Sequence, residues 1–498
     1  MKRVFSWWHG FLSLPRIDRW VIAIFILNLA VRLLLLNWNA AEYTDGIYYM
    51  TQDILQGKYP PLYPALIHLL NFIFNDLEFT GKLISMLAGA LSIFPIYQIG
   101  KQVYNPKTGL YAVLLYSVSP MMLRWSIRVM SDATFGLFFI LSIWFAVRLW
   151  RSQKKQDLIW CTFTAGLCAL TRANGVLLLP LLVFLYVLYL RKNSLKQLVL
   201  SPVWAGALPW FLLLAWLLLG GTSFSNYSSY AFIGRGEGLI PSVFFFAENF
   251  TFHFESLVWE VTALIVLFAC FGVYQSLHLP ENNTGTRYFW LGLCVYTFVA
   301  WFGGMSVYSA WQHLAARHFY AIVPLILLLS GYGIYSIGYH LGRRRLFLAS
   351  LVGCILFSLV FSAASLYYQR DSLGDVKRAA VYARQELQGE TIFTDEIEKT
   401  SFWAHRSCRS YLNKDEIQPG QYVILHSLYT DIETETSYLA SRFKTEIVYE
   451  TTSRIRPLLL DLLSEAPEGR YVNSPEWMLQ RFKTQRFTSV VIKLTDKE

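Results

Sequence analysis

A chain of 498 residues that is 55% hydrophobic, 17% aromatic and only 15% charged is too apolar to have water as its solvent throughout. Its net charge of +10 does not mark a nucleic-acid footprint, because the Lys and Arg residues stand in short clusters between apolar runs. Of six cysteines, Cys161, Cys168, Cys270, Cys294 and Cys354 lie in apolar runs and Cys408 stands apart, which argues against a disulfide framework or a cysteine zinc site.

Apolar stretches of roughly 17 to 23 residues cross the hydrocarbon core as helices. By that rule spans are expected to start near Trp20, Lys82, Thr108, Asp132, Leu158, Asn174, Leu198, Val258, Arg287, Arg317 and Leu346, about eleven in all. The run from Trp20 to Leu36 has no small-residue cleavage site after it and reads as a retained span. With the N-terminus inside, three basic clusters (Arg148/Arg151/Lys154/Lys155, Arg191/Lys192/Lys196 and Arg343/Arg344/Arg345) all fall in the cytoplasm, as the positive-inside bias requires.

The same parity puts Asn37 to Gly81, Arg124 to Ser131, Thr171 to Ala173, Gly221 to Leu257, Ser306 to Ala316 and the tail from about Leu366 outside. The first outer loop, about 38–81, contains Ile54 to Leu55 and Leu62 to Phe74, apolar but broken by Pro60, Pro61 and Pro64, and these read as interfacial helices. Sequons at Asn226, Asn249 and Asn282 do not decide the compartment, since Asn282 falls in an expected cytoplasmic loop. In the tail, strand-like runs (Thr391 to Thr394, Tyr422 to Leu425, Thr445 to Tyr449, Ser489 to Leu494) mix with helix-like runs (Leu373 to Leu387, Ser437 to Phe443). The expected architecture is an α-helical polytopic membrane domain over 1–365 and a non-cytoplasmic α/β domain over 366–498, with no glycine-rich phosphate loop and no internal repeat.

Chemistry concentrates in Ala41-Glu42-Tyr43-Thr44-Asp45-Gly46-Ile47-Tyr48-Tyr49-Met50, two acids just beyond the first span, followed by Lys58-Tyr59-Pro60-Pro61-Leu62-Tyr63. The plain alternative for Glu42 and Asp45 is a solvated loop start. A third acid, Asp132, follows Ser131 at the outer start of a span, where an acid is also a routine helix cap worth about 1 kcal/mol. Lys58, Arg124, Arg128, Arg172, His313, Arg317 and His318 all lie on the expected outer side, against the positive-inside bias. Such cations need an anionic partner, either a neighbouring acid, a headgroup or a phosphate, which Arg binds bidentately.

In order and side, these parts resemble the GT-C class of membrane glycosyltransferases, which includes protein O-mannosyltransferases and aminoarabinose transferases. In that class an acidic motif lies in a long first outer loop, and the sugar donor is carried on a polyprenyl phosphate. Asp45, Tyr49, Lys58 and Pro60-Pro61 fall where the class has its acid, Tyr, Lys and Pro-rich turn, while Gly46 stands where Glu is usual. Glu42 would compensate from one turn away if the segment is helical. Met130-Ser131-Asp132-Ala133 resembles the second acidic site, and Ala316-Arg317-His318-Phe319-Tyr320 with Pro324 in the following helix resembles a late Arg-aromatic-Pro pattern.

The resemblance implies an inverting glycosyltransferase at the outer face, with Asp45 as general base and Asp132 and Glu42 beside it. Lys58, Tyr49, Arg128, Arg172, Arg317 and His318 would bind substrate. The implied partners are a polyprenyl-phosphate sugar, an acceptor protein, glycan or lipid, and the membrane lipid itself. No cofactor is called for, and a divalent metal is not obligatory without a nucleotide diphosphate. A bacterial inner membrane is the expected location. The alternative is a transporter or flippase of a lipid-linked saccharide, which would instead place ionisable groups near the bilayer midplane.

Overall fold

In the computed structural model the described residues are 15–191, 203–220, 261–278, 284–303, 316–428, 430–455 and 485–497, with 254, 257 and 258 besides. Most of the segments Gly221 to Leu257 and Ser306 to Ala316, and with them Asn226, Asn249, Asn282, Lys192, Lys196, Leu198 and His313, lie outside the described residues. By its internal contacts the chain divides into two units, Met1–Leu36 with Gln52–Ala363, and Asn37–Thr51 with Ala364–Glu498.

The helices are α1 (Arg16–Leu34), α2 (Thr44–Thr51), α3 (Leu62–Phe74), α4 (Leu77–Leu91), α5 (Ile93–Val103), α6 (Pro106–Val118), α7 (Pro120–Trp125) and α8 (Asp132–Ser152). After them come α9 (Lys155–Thr171), α10 (Leu179–Leu190), α11 (Val203–Leu218), α12 (Ala263–His278), α13 (Thr284–Phe298), α14 (Val323–Tyr339) and α15 (Arg344–Gln369). The tail adds α16 (Gly374–Glu386), β1 (Ile392–Thr394), α17 (Ile397–Ala404), β2 (Arg409–Ser410), β3 (Tyr422–His426), α18 (Ile432–Arg442), β4 (Lys444–Ile455) and β5 (Gln485–Thr495).

The first unit is helical. In α1, Ile26, Leu27 and Leu34 are exposed while Asn28 and Arg32 are buried, the reverse of a helix facing water and the pattern that lipid selects. Among the described residues, four helical stretches are long and apolar enough to cross a membrane: Leu77–Val103, Asp132–Ser152, Ala173–Leu190 and Arg344–Glu386. Leu62–Phe74, Ala205–Leu218, Ala263–His278 and Val323–Tyr339 are shorter apolar helices. Helix starts follow local chemistry. The Asp76 carboxylate accepts from Phe79 N–H at 2.9 Å to begin α4, and Asn105 accepts from Thr108 N–H at 3.0 Å ahead of Pro106 in α6. The expected Ile54 to Leu55 helix is instead a turn, because the Asp53 carboxylate accepts from the N–H groups of Leu55 and Gln56 at 2.7 and 3.1 Å.

Helices α12 and α14 approach so closely that a Cβ on Gly272 would stand 2.0 Å from the Leu329 carbonyl oxygen, and one on Gly333 would stand 2.2 Å from that of Phe268. Backbone cannot yield as a side chain can. Gly272→Val is therefore expected to destabilise the purified chain by roughly 1–3 kcal/mol or more, seen as a lower melting temperature in detergent, whereas Gly292→Ala, with nothing within 4 Å, leaves it unchanged.

In the second unit the strands form a sheet of order β2-β1-β3-β5-β4. Strands β1, β2 and β3 run parallel, β5 is antiparallel to both β3 and β4, and the β4 register shifts between Ile447 and Tyr449. Alternation sorts the side chains: Val423, Leu425, Val490, Ile492 and Leu494 join Leu439 of α18 and Phe443 just after it on one face. Ile424 and Val491 join Ala379 and Ala383 of α16 on the other. The sheet is thus covered on both faces, which leaves the strand ends, and the connection from β1 to α17, as its polar edge.

Candidate active site

The α7–α8 connection, residues 126–131, carries Arg128 and is flanked by Arg124 and Asp132, and α1, α3 and α4 hold it in place. Arg32 of α1 donates from Nε to Ser126 Oγ at 2.7 Å and from a terminal nitrogen to the Met122 carbonyl at 3.2 Å, and it also donates to the Asn28 side chain. Ser85 of α4 donates to the Met130 carbonyl at 2.8 Å, and the Tyr63 hydroxyl of α3 stands 2.7 Å from Ser85 Oγ. Two glycines let the connection lie on α4: a Cβ on Gly81 would be 2.6 Å from Val129 Cγ1, and one on Gly89 2.7 Å from Ser126 Cβ.

On that support sit Arg124, Arg128 and Asp132, all buried. Asp132 is not the helix cap that its position suggests. Ser131 occupies the cap site without a side-chain cap bond, and the Asp132 carboxylate instead pairs with Arg172 at 2.8 Å. Arg172 also reaches Ser131 Oγ at 3.4 Å. Arg317 lies with its guanidinium 5.4 Å from the Trp125 ring centroid and a terminal nitrogen 3.9 Å from Met130 Sδ, while Arg124 lies 4.8 Å from the same indole. The structure thus sets Arg124 and Arg317 on one tryptophan, and the Asp132–Arg172 pair at the other end of the same short connection. Trp125 was not singled out from the sequence, although an indole directly after an arginine was the available signal.

His318 is half-buried in the same short helical turn as Arg317, and Pro324 falls in the first turn of α14, where its missing N–H leaves no hydrogen bond unmade. Lys58 is exposed, its Nζ 5.3 Å from the Tyr59 ring, at the end of a loop closed by Gln52, which donates to the Tyr59 carbonyl at 3.2 Å and accepts from Tyr59 N–H at 3.1 Å.

In the second unit, Asp45 is half-buried in the first turn of α2, and Tyr49 is buried in the same helix. Glu42 lies outside it, since α2 begins at Thr44, so the expected one-turn spacing from Asp45 does not arise. Glu42 is instead fully buried. The Tyr48 hydroxyl donates to Glu398 Oε1 of α17 at 2.9 Å. Burial, then that carboxylate, pushes the phenol well above its ordinary range. Neither Tyr48 nor Glu398 was a sequence candidate.

The polar edge beneath α17 is closely knit. The His426 ring is 2.6 Å from Ser489 Oγ through Nδ1 and 3.4 Å from Thr400 Oγ1 through Nε2, and Ser489 in turn donates to Asp375 at 2.7 Å. Asp395 accepts from His426 N–H at 2.9 Å, and burial raises its carboxyl to about 7, while burial and then Lys399 lower His426 to about 3. A carboxyl raised in this way holds a proton in the folded chain that the unfolded chain has lost, between its ordinary 3.8 and about 7. That group's contribution to stability therefore declines as pH rises through this window, by up to about 1.4 kcal/mol per pH unit. The advantage of Asp395→Asn over wild type is expected to be nil below about pH 4 and greatest above about pH 7, as paired melting curves would show.

A model of the dolichyl-phosphate-mannose-protein mannosyltransferase family matches residues 58–217. No curated protein sequence matches the chain. Among solved structures, ArnT from Cupriavidus metallidurans bound to undecaprenyl phosphate is similar with a TM-score of 0.63 at 12% identity, over 95% of this chain and 98% of that one. Its apo form gives 0.57 at 13% identity over the same shares. The archaeal oligosaccharyltransferase AglB from Archaeoglobus fulgidus, in complex with an inhibitory peptide and a dolichol-phosphate, gives 0.51 at 14% identity, over 85% of this chain and 71% of that one. At such identities the likeness is one of fold.

Proposed function

This chain has the fold of the GT-C class of membrane glycosyltransferases, and on that premise we propose that it moves a sugar from a polyprenyl-phosphate sugar to an acceptor at the outer face of the membrane. The observation that carries this reading is the placing of Arg124 and Arg317 on the Trp125 indole and of the Arg172–Asp132 pair at the other end of the same short connection, guanidinium groups of the kind that bind a phosphate. In this reading residues 1–365, with about eleven spans, form the catalytic membrane domain, and 366–498 form an α/β domain on the periplasmic or extracellular side of a bacterial inner membrane.

Asp45 removes the proton of the acceptor hydroxyl or amine as the acceptor atom bonds to the anomeric carbon. The bond from that carbon to the phosphate oxygen breaks, and its electron pair stays on the phosphate. Because the leaving group is already anionic, it needs cations more than a general acid, and Lys58, Arg128, Arg172 and Arg317 supply them. Asp132 holds Arg172 in place. Glu42 stands with Asp45 and Asp132 in the catalytic set, and Tyr49 and His318 complete the substrate-binding set. With one base and no enzyme nucleophile, the anomeric configuration inverts.

The test is transfer of label from a panel of radiolabelled polyprenyl-phosphate hexoses and pentoses in membranes containing the chain. Label leaving the lipid fraction for an acceptor supports the reading. Label that stays on the lipid but crosses the bilayer of sealed vesicles would overturn it in favour of a flippase.

A further inference from the structure

Helix α2 is only eight residues long, too short to hold its own conformation in water, so the direction in which Asp45 points must come from what the helix packs on. Its buried residues, Ile47, Tyr49 and Met50, fix one side. Tyr48 follows Asp45 by three positions and so lies on the neighbouring face, where its hydroxyl donates to Glu398 at 2.9 Å. The chain entering α2 is tied to the same unit: Ala40 N–H donates to the Arg370 carbonyl at 2.7 Å, and the Trp38 indole donates to the Leu366 carbonyl at 2.9 Å. Glu398 stands on a helix that is itself locked down. The neighbouring Lys399 is fully buried and paired with Glu396 at 3.2 Å, and Thr400 is 3.2 Å from Thr394 and 3.4 Å from His426.

We propose that the C-terminal part of the chain is a positioning element for the catalytic acid, with Glu398 holding Tyr48 and thereby setting the face of α2 that carries Asp45. This rests on the transferase reading above, in which Asp45 is the general base. Tyr48 and Glu398 are positioning residues, because they act through the helix and leave the proton transfer to Asp45. The tail then contributes to turnover, and a donor bound by cations elsewhere in the chain is held equally well with or without the pair.

The experiment uses the full-length chain in membranes and compares wild type, Asp45→Asn, Tyr48→Phe, Glu398→Ala, Glu398→Gln and the double variant Tyr48→Phe/Glu398→Ala, with a radiolabelled polyprenyl-phosphate sugar that wild type consumes. Tyr48→Phe and Glu398→Ala are expected to lower kcat by roughly ten- to a hundredfold with the donor KM unchanged. The double variant falls no further than either single one, and Glu398→Gln, which still accepts the hydrogen bond, regains most of the rate. Hydrogen exchange gives a readout apart from activity: amides from Ile47 to Thr51 exchange faster in Glu398→Ala and at the wild-type rate in Glu398→Gln. If Asp45→Asn is inactive while Tyr48→Phe and Glu398→Ala turn over like wild type, the positioning role is overturned and the transferase reading stands. If wild type consumes no donor in the panel, the transferase reading falls and takes this role with it.

Discussion

Asp45→Asn is expected to lose transfer by roughly 10²–10⁴-fold, the span covered by removal of a general base, while the variant still binds the lipid donor. The asparagine is nearly isosteric with the acid and cannot take the acceptor's proton. It also leaves Ile47, Tyr49 and Met50 packed as before, so α2 stays folded. The loss should therefore appear in kcat and not in the donor KM. The pH profile discriminates further: a variant without the base loses the acidic limb of the rate profile, whereas one that merely disturbs folding keeps its shape at lower amplitude. Full activity in Asp45→Asn would remove the acid from the mechanism.

The second large effect concerns the Asp132–Arg172 pair, whose side chains are 2% and 15% exposed at a separation of 2.8 Å. Arg172→Met leaves the Asp132 carboxylate buried without its cation, and a buried pair broken on one side typically costs about 3–5 kcal/mol. Replacing both members, as Asp132→Leu/Arg172→Met, removes the uncompensated charge and is expected to return most of the lost melting temperature. Transfer is expected to stay low in the double variant, by roughly 10²–10³-fold, because the phosphate has still lost a guanidinium. Recovery of both stability and turnover would mean that Arg172 serves the fold alone. Loss of turnover with restored stability separates its two duties.

The charged candidates could be read from the sequence because their placement defies a one-dimensional rule. In the expected topology Arg128, Arg172 and Arg317 fall at span ends where the positive-inside bias disfavours them, and Asp132 stands at a helix start, so each is conspicuous without a structure. The sequence misled on what each one does locally. Asp132 reads as a cap by position, and only the fold brings Arg172, 40 residues away, within reach of its carboxylate. Glu42 reads as a partner one helical turn from Asp45, but α2 starts too late to include it. Trp125 and Tyr48 do not stand out, because an aromatic residue among 36 Phe, 30 Tyr and 17 Trp carries little signal, and for Trp125 the one cue is its place directly after Arg124.

Composition and periodicity by themselves determined that lipid solvates much of this chain, roughly where its apolar helices begin, and that the tail mixes strands with helices. These are properties of consecutive residues: hydropathy over a window, and alternation in Tyr422 to Leu425 or Ser489 to Leu494, which become β3 and β5. Only the tertiary structure decided that Asn37–Thr51 belongs with the residues beyond Ala364, and that Tyr48 meets Glu398 across 350 positions. It alone also placed two arginines on the Trp125 indole. The reason is physical. A hydrogen bond or an ion pair depends on two groups arriving within about 3 Å in the right orientation, and no local pattern records which distant segment will deliver the second group.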